Sequence, residues 1–274
     1  MLSNAYVGVF FACADDGIGK FDRSMLSQQE LMELFIFGLN EPEKICGSRD
    51  DPDDVCEWEG VKCNADGGVE DYKWGCKQHA GTLCFEFLPC SMKIVQMFIN
   101  ALSGTIQLAD LPGQIEELSL FSNQLTGSLD LDSLPAAVRS LFLHLNEFTG
   151  DISLEKLPKC LAYLSLFENH LSGTICLTSL PAALWCLRLS QNNFQGSLDF
   201  TRLPKSIVTM NLSENRFSGT IDLWNLPESM VDLNVRKNTL SGTVWVPKQL
   251  HGRFDGNLGV WCFQENNELT VELV

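Results

Sequence analysis

The sequence contains few basic residues for its length. Lysine and arginine together number 19, against 35 aspartate and glutamate residues, so the formal net charge is -16 at pH 7. Phosphate backbones and anionic membrane surfaces repel such a chain at physiological salt. The composition therefore excludes nucleic acid as a partner and argues against work on an acidic lipid surface.

Long apolar runs are also missing. No stretch approaches the roughly 20 apolar residues that a membrane-spanning helix needs, so we predict no membrane span. Residues 1–14 form a short apolar stretch that ends in Ala12-Cys13-Ala14, a sequence typical of a signal-peptidase site. No basic residue precedes the stretch, and an uncleaved hydrophobic N-terminus is the alternative. We predict a signal peptide over 1–14 and a soluble mature protein.

Sequence motifs of catalysis are absent too. The chain has no G-x-S-x-G, H-E-x-x-H, Walker or kinase motif. The acidic stretch 50–54 lacks the glycine and the terminal glutamate of a calcium-binding EF-hand loop. We therefore predict a protein that is not an enzyme and that needs no cofactor or metal. The four histidines fall at unrelated phases of the repeat described below and are predicted to lie on the surface: His79, His144, His170 and His251.

Cysteine, by contrast, is abundant. Six of the eleven cysteines crowd into one N-terminal stretch: Cys46, Cys56, Cys63, Cys76, Cys84 and Cys90. Zinc modules use paired ligands such as C-x2-C, and none of these spacings supplies them, although a zinc site remains the alternative. The clustering favours disulfides and an oxidising compartment.

A 23-residue period runs through most of the chain. Glycine recurs at this interval from Gly104 to Gly242, and a Leu-Pro pair recurs from Leu88-Pro89 to Leu226-Pro227. Asparagine keeps the same interval at Asn100, Asn123, Asn146, Asn169, Asn192, Asn215 and Asn238. A fixed period of this length is the signature of a repeat architecture, here with seven units.

Each unit contains an L-x-L pair that alternates with period two, which predicts a short strand with inward leucines. Stacked units would pair these strands into a parallel sheet. The asparagines are predicted to point inward and to bond backbone groups where the chain bends. The triplets after each glycine, such as Leu129-Asp130-Leu131, suggest a second short strand towards the convex side.

The repeats, which run N-x-[LF]-x-G-x-[IL] after the strand, resemble the plant-type extracellular leucine-rich repeat family. The stretch from Cys56 to Cys63 is similar to the C-x-W-x-G-V-x-C motif of that family's cysteine-rich N-terminal cap. The resemblance implies a Cys56–Cys63 disulfide, with Trp58 packed over the first repeat. It also implies an α/β-type repeat solenoid, a right-handed leucine-rich repeat horseshoe whose parallel β-sheet lines the concave face.

Some features depart from the plant pattern. The units have 23 residues where 24 is usual, and no kinase follows, so a receptor-kinase identity is not implied. We divide the chain into a signal peptide (1–14), a cysteine-rich cap with one helix (15–87), seven repeats (88–248) and a degenerate last repeat with a C-terminal cap (249–274). A capping box, Ser27 to Glu30, predicts that the helix of the cap begins there and runs to about Leu39.

Outward positions of the strands form columns on the concave face, aromatic in the first four repeats and polar in the last three. We take these residues as candidate ligand contacts: Phe98, Phe121, Phe142, His144, Tyr163, Phe167, Arg188 and Arg236. Exposed aromatic patches commonly mark protein contacts. The alternative is that aromatics merely favour strands and stack on neighbours. Asn211 begins the chain's one N-x-S/T sequon and is a candidate glycosylation site.

These observations predict a secreted or cell-surface recognition protein that binds another protein through its concave sheet. Two alternatives stay open. A carbohydrate-binding or cell-wall-binding module would use the same aromatics as stacking platforms. An inhibitor of secreted hydrolases, as some relatives in the plant-type family are, would bind its target enzyme.

Overall fold

The computed structural model describes residues 25–246, 261–263, 265–266 and 268–273. The chain is a leucine-rich repeat solenoid, a parallel β-solenoid of about eight turns spaced by about 23 residues, as the sequence pattern predicts. The predicted signal peptide, His251 and most of the predicted last repeat lie outside the described residues.

The larger sheet, which we call the first sheet, lines the concave face and contains the predicted L-x-L strands. Neighbouring repeats pair in register at a separation of 23 residues, so that Leu118 lies beside Leu141 and Leu141 beside Leu164. All pairs are parallel except β1 with β2. Its ten strands are β1 (Val61–Cys63), β2 (Val69–Lys73), β4 (Ile94–Gln96), β6 (Glu117–Ser119), β8 (Ser140–Phe142), β10 (Tyr163–Ser165), β12 (Cys186–Arg188), β14 (Thr209–Asn211), β16 (Asp232–Asn234) and β18 (Trp261–Cys262).

A second sheet of nine strands follows the bend after each asparagine. Its strands are β3 (Ala80–Gly81), β5 (Ala101–Thr105), β7 (Gln124–Gly127), β9 (Glu147–Asp151), β11 (His170–Gly173), β13 (Asn193–Gly196), β15 (Arg216–Gly219), β17 (Thr239–Val246) and β19 (Glu268–Leu273). In most repeats these strands precede the apolar triplets, which corrects the predicted position. Leu129 and Leu131 are buried by the return arc, because their alternation turns apolar side chains to the core without strand pairing.

The sheets begin one turn earlier than the glycine period indicates. Strand β2 pairs in parallel with β4, and β3 pairs with β5, although both lie within the range 15–87 that the sequence assigns to the cap. The repeat pattern misses this turn because Lys77 stands where later turns have asparagine.

Helices occur at the N-terminal end of the described chain: α1 (Gln28–Ile36) and α2 (Glu43–Cys46). The predicted capping box is confirmed, since the Ser27 N–H donates to the Glu30 carboxylate at 2.8 Å and the Glu30 N–H donates to Ser27 Oγ at 3.2 Å. Helix α1 buries Met32, Phe35 and Ile36 against the first turn and ends before the predicted Leu39. Short 3-10 helices span Val55–Glu57, Phe85–Phe87, Leu108–Asp110 and Leu131–Ser133.

The disulfide between Cys56 and Cys63 is present, with the Cα atoms 5.6 Å apart. Trp58 between them is 3% exposed and donates its indole N–H to the Asp53 carbonyl at 2.8 Å. The expectation of further bridges in the cap is wrong for the described cysteines: Cys46, Cys76, Cys84 and Cys90 are free. Cys46 is buried in α2, whereas Cys76 and Cys90 are exposed on other segments, so the six do not form a bridged cluster.

The seven repeat asparagines point into the solenoid and form a ladder. In Asn146, Nδ2 donates to the carbonyls of Leu120 and Leu143 at 3.0 and 3.2 Å, and Oδ1 accepts from the Leu125 N–H at 3.0 Å. One side chain therefore joins two successive turns and satisfies backbone groups in a core of leucine.

The ladder continues at Asn266, which the sequence pattern does not identify. Its Oδ1 accepts from the Asn238 N–H at 3.2 Å, and its Nδ2 donates to the Phe263 carbonyl at 2.7 Å. The sequence analysis places the last repeat around 254–262, but Asn266 lies 28 residues after Asn238. This last turn is therefore longer than the 23-residue unit.

Glycine closes each strand of the second sheet for a conformational reason. The repeat glycines have φ between 80° and 92°, a left-handed conformation that L side chains rarely adopt. At Gly127 an added Cβ would also approach Thr105 Cγ2 to 2.9 Å. Backbone geometry and close stacking of turns both require glycine there.

Candidate ligand-binding surface

Four rings stack along the concave face, one from each of four successive turns. The centroids of Phe98 and Phe121 are 4.8 Å apart, those of Phe121 and His144 are 4.5 Å apart, and those of His144 and Phe167 are 4.3 Å apart. Each residue follows the second inward residue of its strand, so the parallel register brings the rings into contact. We call this set the aromatic column. Its rings are partly exposed, and they form one continuous surface.

A second group of aromatics, the side cluster, lies beside the column and consists of Phe142, Tyr163 and Trp185. The Phe142 and Tyr163 centroids are 4.7 Å apart, and Tyr163 meets Trp185 edge to face at 5.1 Å. Phe142 also contacts His144 at 6.5 Å in an edge arrangement, which joins the cluster to the column. The six aromatic candidates from the sequence therefore form one surface.

Trp185 is part of this surface, and the sequence analysis does not identify it. Its side chain is 44% exposed although it contacts Tyr163. It immediately precedes β12, whereas only positions within and after the strands were taken as columns. The signal was available: Trp185 stands where the preceding repeats have Lys93, Glu116, Arg139 and Ala162, so the tryptophan is not a requirement of the repeat.

Apolar side chains border the column where each turn bends. Ile99 is 45% exposed and Leu145 is 37% exposed. Both adopt a left-handed backbone, with φ of 53° and 57°, as does the residue before every repeat asparagine. This bend turns the side chain to solvent beside the rings and enlarges the apolar surface.

His144 occupies the third position of the column as a neutral ring. Burial lowers its pKa to about 4, and the nearby positive charge of Arg188 lowers it further. Its Nδ1 lies 3.1 Å from Ser165 Oγ. At neutral pH the column therefore carries no charge, and it behaves as a single apolar surface.

Beyond Phe167 the concave face becomes polar. A shallow depression of about 280 Å³ lies against that ring and includes Arg188, Arg236 and Asn211 among its lining residues. Arg236 Nη2 and Lys237 Nζ each lie 3.7 Å from Glu214 Oε1. Burial raises the pKa of Asp232 at this end, and the positive charge of Arg188 opposes that rise. Arg188 borders the aromatic surface, whereas Arg236 lies two turns further along.

The candidate glycosylation residue, Asn211, lies in β14 on this polar end. Its Oδ1 accepts hydrogen bonds from the Ser213 N–H at 3.1 Å and from Ser213 Oγ at 2.8 Å. A glycan attached there would cover the polar depression and leave the aromatic column open.

One expectation about the histidines is wrong. His79 is 4% exposed and packs edge to face on Trp74, with the ring centroids 5.4 Å apart. Burial also lowers its pKa. The side chain belongs to the core of the first turn, which the sequence analysis treats as part of an unstructured stretch of the cap.

Metal and membrane features were sought in the described part of the chain. Among those residues, no three His, Cys, Asp or Glu side chains are grouped so that they could hold a metal ion. Over the same residues, no helix has the length and apolar character to cross a membrane.

Comparisons with known proteins agree with this architecture. No protein-family model matches the chain, and no curated protein matches its sequence. Among solved structures, the leucine-rich repeat ectodomain of the receptor kinase GASSHO1/SCHENGEN3 from Arabidopsis thaliana is similar, with 23% identity and a TM-score of 0.67. The match covers 90% of this chain and 30% of that chain, so this protein spans about a third of that ectodomain.

A Pollen Receptor Kinase 3 structure is similar over 88% of this chain and 95% of its own, with 18% identity and a TM-score of 0.50. The fold therefore places this chain in the class of leucine-rich repeat solenoids. Within that class, the solved neighbours with which it shares its fold are ectodomains of plant receptors, and the resemblance stated from the sequence is confirmed at the level of the fold.

Proposed function

We propose that this protein is a secreted or cell-surface recognition protein that binds another protein through the concave first sheet. The observation that carries the proposal is the aromatic column with its side cluster, a continuous and partly exposed surface that spans adjacent turns. Aromatic anchors dominate the energetics of many protein interfaces. The solenoid needs the inward leucines to fold, whereas these outward rings are free to serve binding.

The neighbouring structure supports the same class of ligand. The GASSHO1/SCHENGEN3 ectodomain was solved in complex with CASPARIAN STRIP INTEGRITY FACTOR 2. Because this chain spans 30% of that ectodomain, the partner of the whole receptor does not transfer to it. What transfers to the proposal is that a leucine-rich repeat ectodomain can present its face to another polypeptide.

The geometry of the rings favours a protein over a sugar on this face. A pyranose ring stacks on an open aromatic face. In the column, the ring planes of Phe98 and Phe121 differ by 2°, and those of Phe121 and His144 by 7°, so neighbouring rings cover each other's faces. Ring edges and the apolar border remain for contact, which suits the irregular apolar surface of a protein.

An extracellular location is part of the proposal. The Cys56–Cys63 disulfide supports it, since disulfides persist in oxidising compartments. The net charge of -16 adds that the partner carries basic groups around an apolar centre, because charge complementarity steers association.

The proposal is tested by capture from the extracellular medium of the source cells with immobilised protein. We expect a partner that wild type retains and that a Phe121→Ser, Phe142→Ser and Phe167→Ser triple variant loses. Arg188→Ser and Lys237→Ser are the matched changes at the polar end and should weaken capture less. Equal retention by wild type and the triple variant would contradict the proposal. A captured hydrolase whose activity falls on mixing would make the protein an inhibitor.

A further inference from the structure

Two tryptophans are exposed on the C-terminal turns, away from the first sheet. Trp224 is 54% exposed and follows the apolar triplet of its turn, whereas Trp245 is 47% exposed and lies in β17 of the second sheet. Large aromatic side chains at such exposure are uncommon unless they serve contact with another molecule.

The repeat does not require either tryptophan. In the preceding turn, Thr201 stands where Trp224 stands, and Asp222 stands where Trp245 stands. Earlier turns place small or polar residues at both positions. The core beneath is complete without the indoles, since Leu223 and Val244 beside them are each 1% exposed.

Both tryptophans line one groove of about 550 Å³. A volume of this size falls in the range of about 300–1,000 Å³ that is common for small-molecule sites. Phe200, 1% exposed, closes the groove from below, and threonine hydroxyls and two carboxylates occupy its walls. The indoles and the polar walls thus face the same space.

The carboxylates are fixed by local hydrogen bonds. Asp222 Oδ1 accepts from the Trp224 N–H at 2.9 Å, which holds the turn that carries the indole. Asp199 Oδ1 accepts from the Thr201 N–H at 2.9 Å and from Thr201 Oγ1 at 2.6 Å, and these bonds lower the pKa of Asp199. Within the described part of the chain, neither Oδ2 atom is used in a hydrogen bond, so each remains an acceptor in the groove.

This combination selects the chemistry of the occupant. Indole faces attract the C–H faces of pyranose rings, and carboxylate and hydroxyl oxygens accept hydrogen bonds from sugar hydroxyls. Two carboxylates in the groove and a net charge of -16 repel phosphate, sulfate and uronate groups. An apolar protein segment would bury these carboxylates unpaired, which is costly. A neutral saccharide satisfies both the indoles and the oxygens.

We propose that Trp224 and Trp245, with Asp199 and Asp222, form a binding site for a neutral glycan chain. This site is separate from the aromatic column and independent of the protein partner proposed for it. One molecule would then hold a glycan at one surface and a protein at another, as expected of a recognition protein that works at a polysaccharide matrix.

The test uses the full-length protein on an array of polysaccharides that includes neutral β-glucans, mannans, xylans and galactans, together with charged pectins and sulfated glycans. We expect binding to at least one neutral polymer that persists in 0.5 M salt, a concentration of about three times the physiological value. Trp224→Ala and Trp245→Ala should each weaken it at least about tenfold. Trp185→Ala removes an equally exposed indole from the concave face and should leave glycan binding unchanged.

Several results would overturn the site. These are binding to none of the neutral polymers, preference for the charged ones, or equal binding by wild type and a Trp224→Ala, Trp245→Ala double variant. Circular dichroism checks the fold of each variant, and Trp245→Phe should recover part of the affinity, which a folding defect would not allow. Loss of the captured protein partner by the double variant, with no change in glycan binding, would make the groove a protein contact and refute the glycan site.

Discussion

His144 and Phe167 stack with their ring centroids 4.3 Å apart and their planes inclined by 19°. The two residues are 23 positions apart in the sequence, which is one turn of the solenoid. Their contact forms only when the turns stack. The imidazole is held neutral in this contact, because burial lowers its pKa to about 4.

Acid should therefore destabilise the protein through His144. An unfolded histidine has a pKa of about 6.5, so between about pH 6.5 and pH 4 the unfolded chain binds a proton that the folded chain does not. The stability that the neutral ring contributes is complete above this window and is lost as the pH falls through it. Urea midpoints at about pH 7 and pH 4.5 measure the effect. His144→Phe keeps a ring in the column but cannot titrate, and it should lose less stability; identical pH dependence would contradict the assignment.

The asparagine ladder predicts a large effect of one substitution. In Asn146→Leu, the Leu125 N–H and the Leu120 carbonyl lose their side-chain partner inside the core. An unsatisfied buried polar group costs about 1–3 kcal/mol of stability. Equilibrium denaturation should reveal this loss. Glu147→Gln, at the exposed neighbouring position, is the matched control and should be nearly silent; an equally silent Asn146→Leu would mean that the bonds contribute no net stability.

The disulfide should stabilise the N-terminal end of the solenoid. Cys56 and Cys63 are seven residues apart, and a loop this short puts the contribution near the low end of the usual range, at about 2 kcal/mol. We expect Cys56→Ser to increase hydrogen exchange between 25 and 73 before it affects the central repeats, since stability in a repeat protein is local. Cys90→Ser removes a free exposed thiol and serves as control. Uniform exchange along the chain in the Cys56 variant would argue against a local role.

Much of the fold follows from the sequence because the stacking distance ties each side chain to its neighbour one period away. A period of 23 residues predicts that Phe121, His144 and Phe167 adjoin, and the parallel register of the first sheet brings them together. The inward asparagines follow from the same period. The aromatic surface could therefore be assembled column by column without coordinates.

The features that sequence analysis missed are those that depart from the period. Asn266 lies in a longer last turn, so phase counting from Asn238 does not reach it. Cysteine counting predicts bridges but not pairs, and Cys46 is buried away from the other cysteines. The triplet Leu129-Asp130-Leu131 alternates like a strand because its leucines face the core, while the paired strand is β7, just before it. Trp224 and Trp245 come from different columns, and only their position in the fold brings them to one groove.

The central claim is that outward rings of the first sheet serve binding and inward residues serve folding. The most direct measurement sets two quantities side by side, the denaturation midpoint and retention of the captured partner, for the Phe121→Ser, Phe142→Ser, Phe167→Ser variant and for Leu120→Ala. Leu120 is fully buried next to Phe121, and its truncation should cost about 2–5 kcal/mol.

The triple variant loses ring contacts worth about 0.5–1.5 kcal/mol each, so it should be weakened yet keep its fold by circular dichroism. We expect it to lose the partner, while Leu120→Ala retains the partner at temperatures where it is folded. If the triple variant unfolds, the rings are core residues; if it folds and retains the partner, binding lies elsewhere, and either result contradicts the claim.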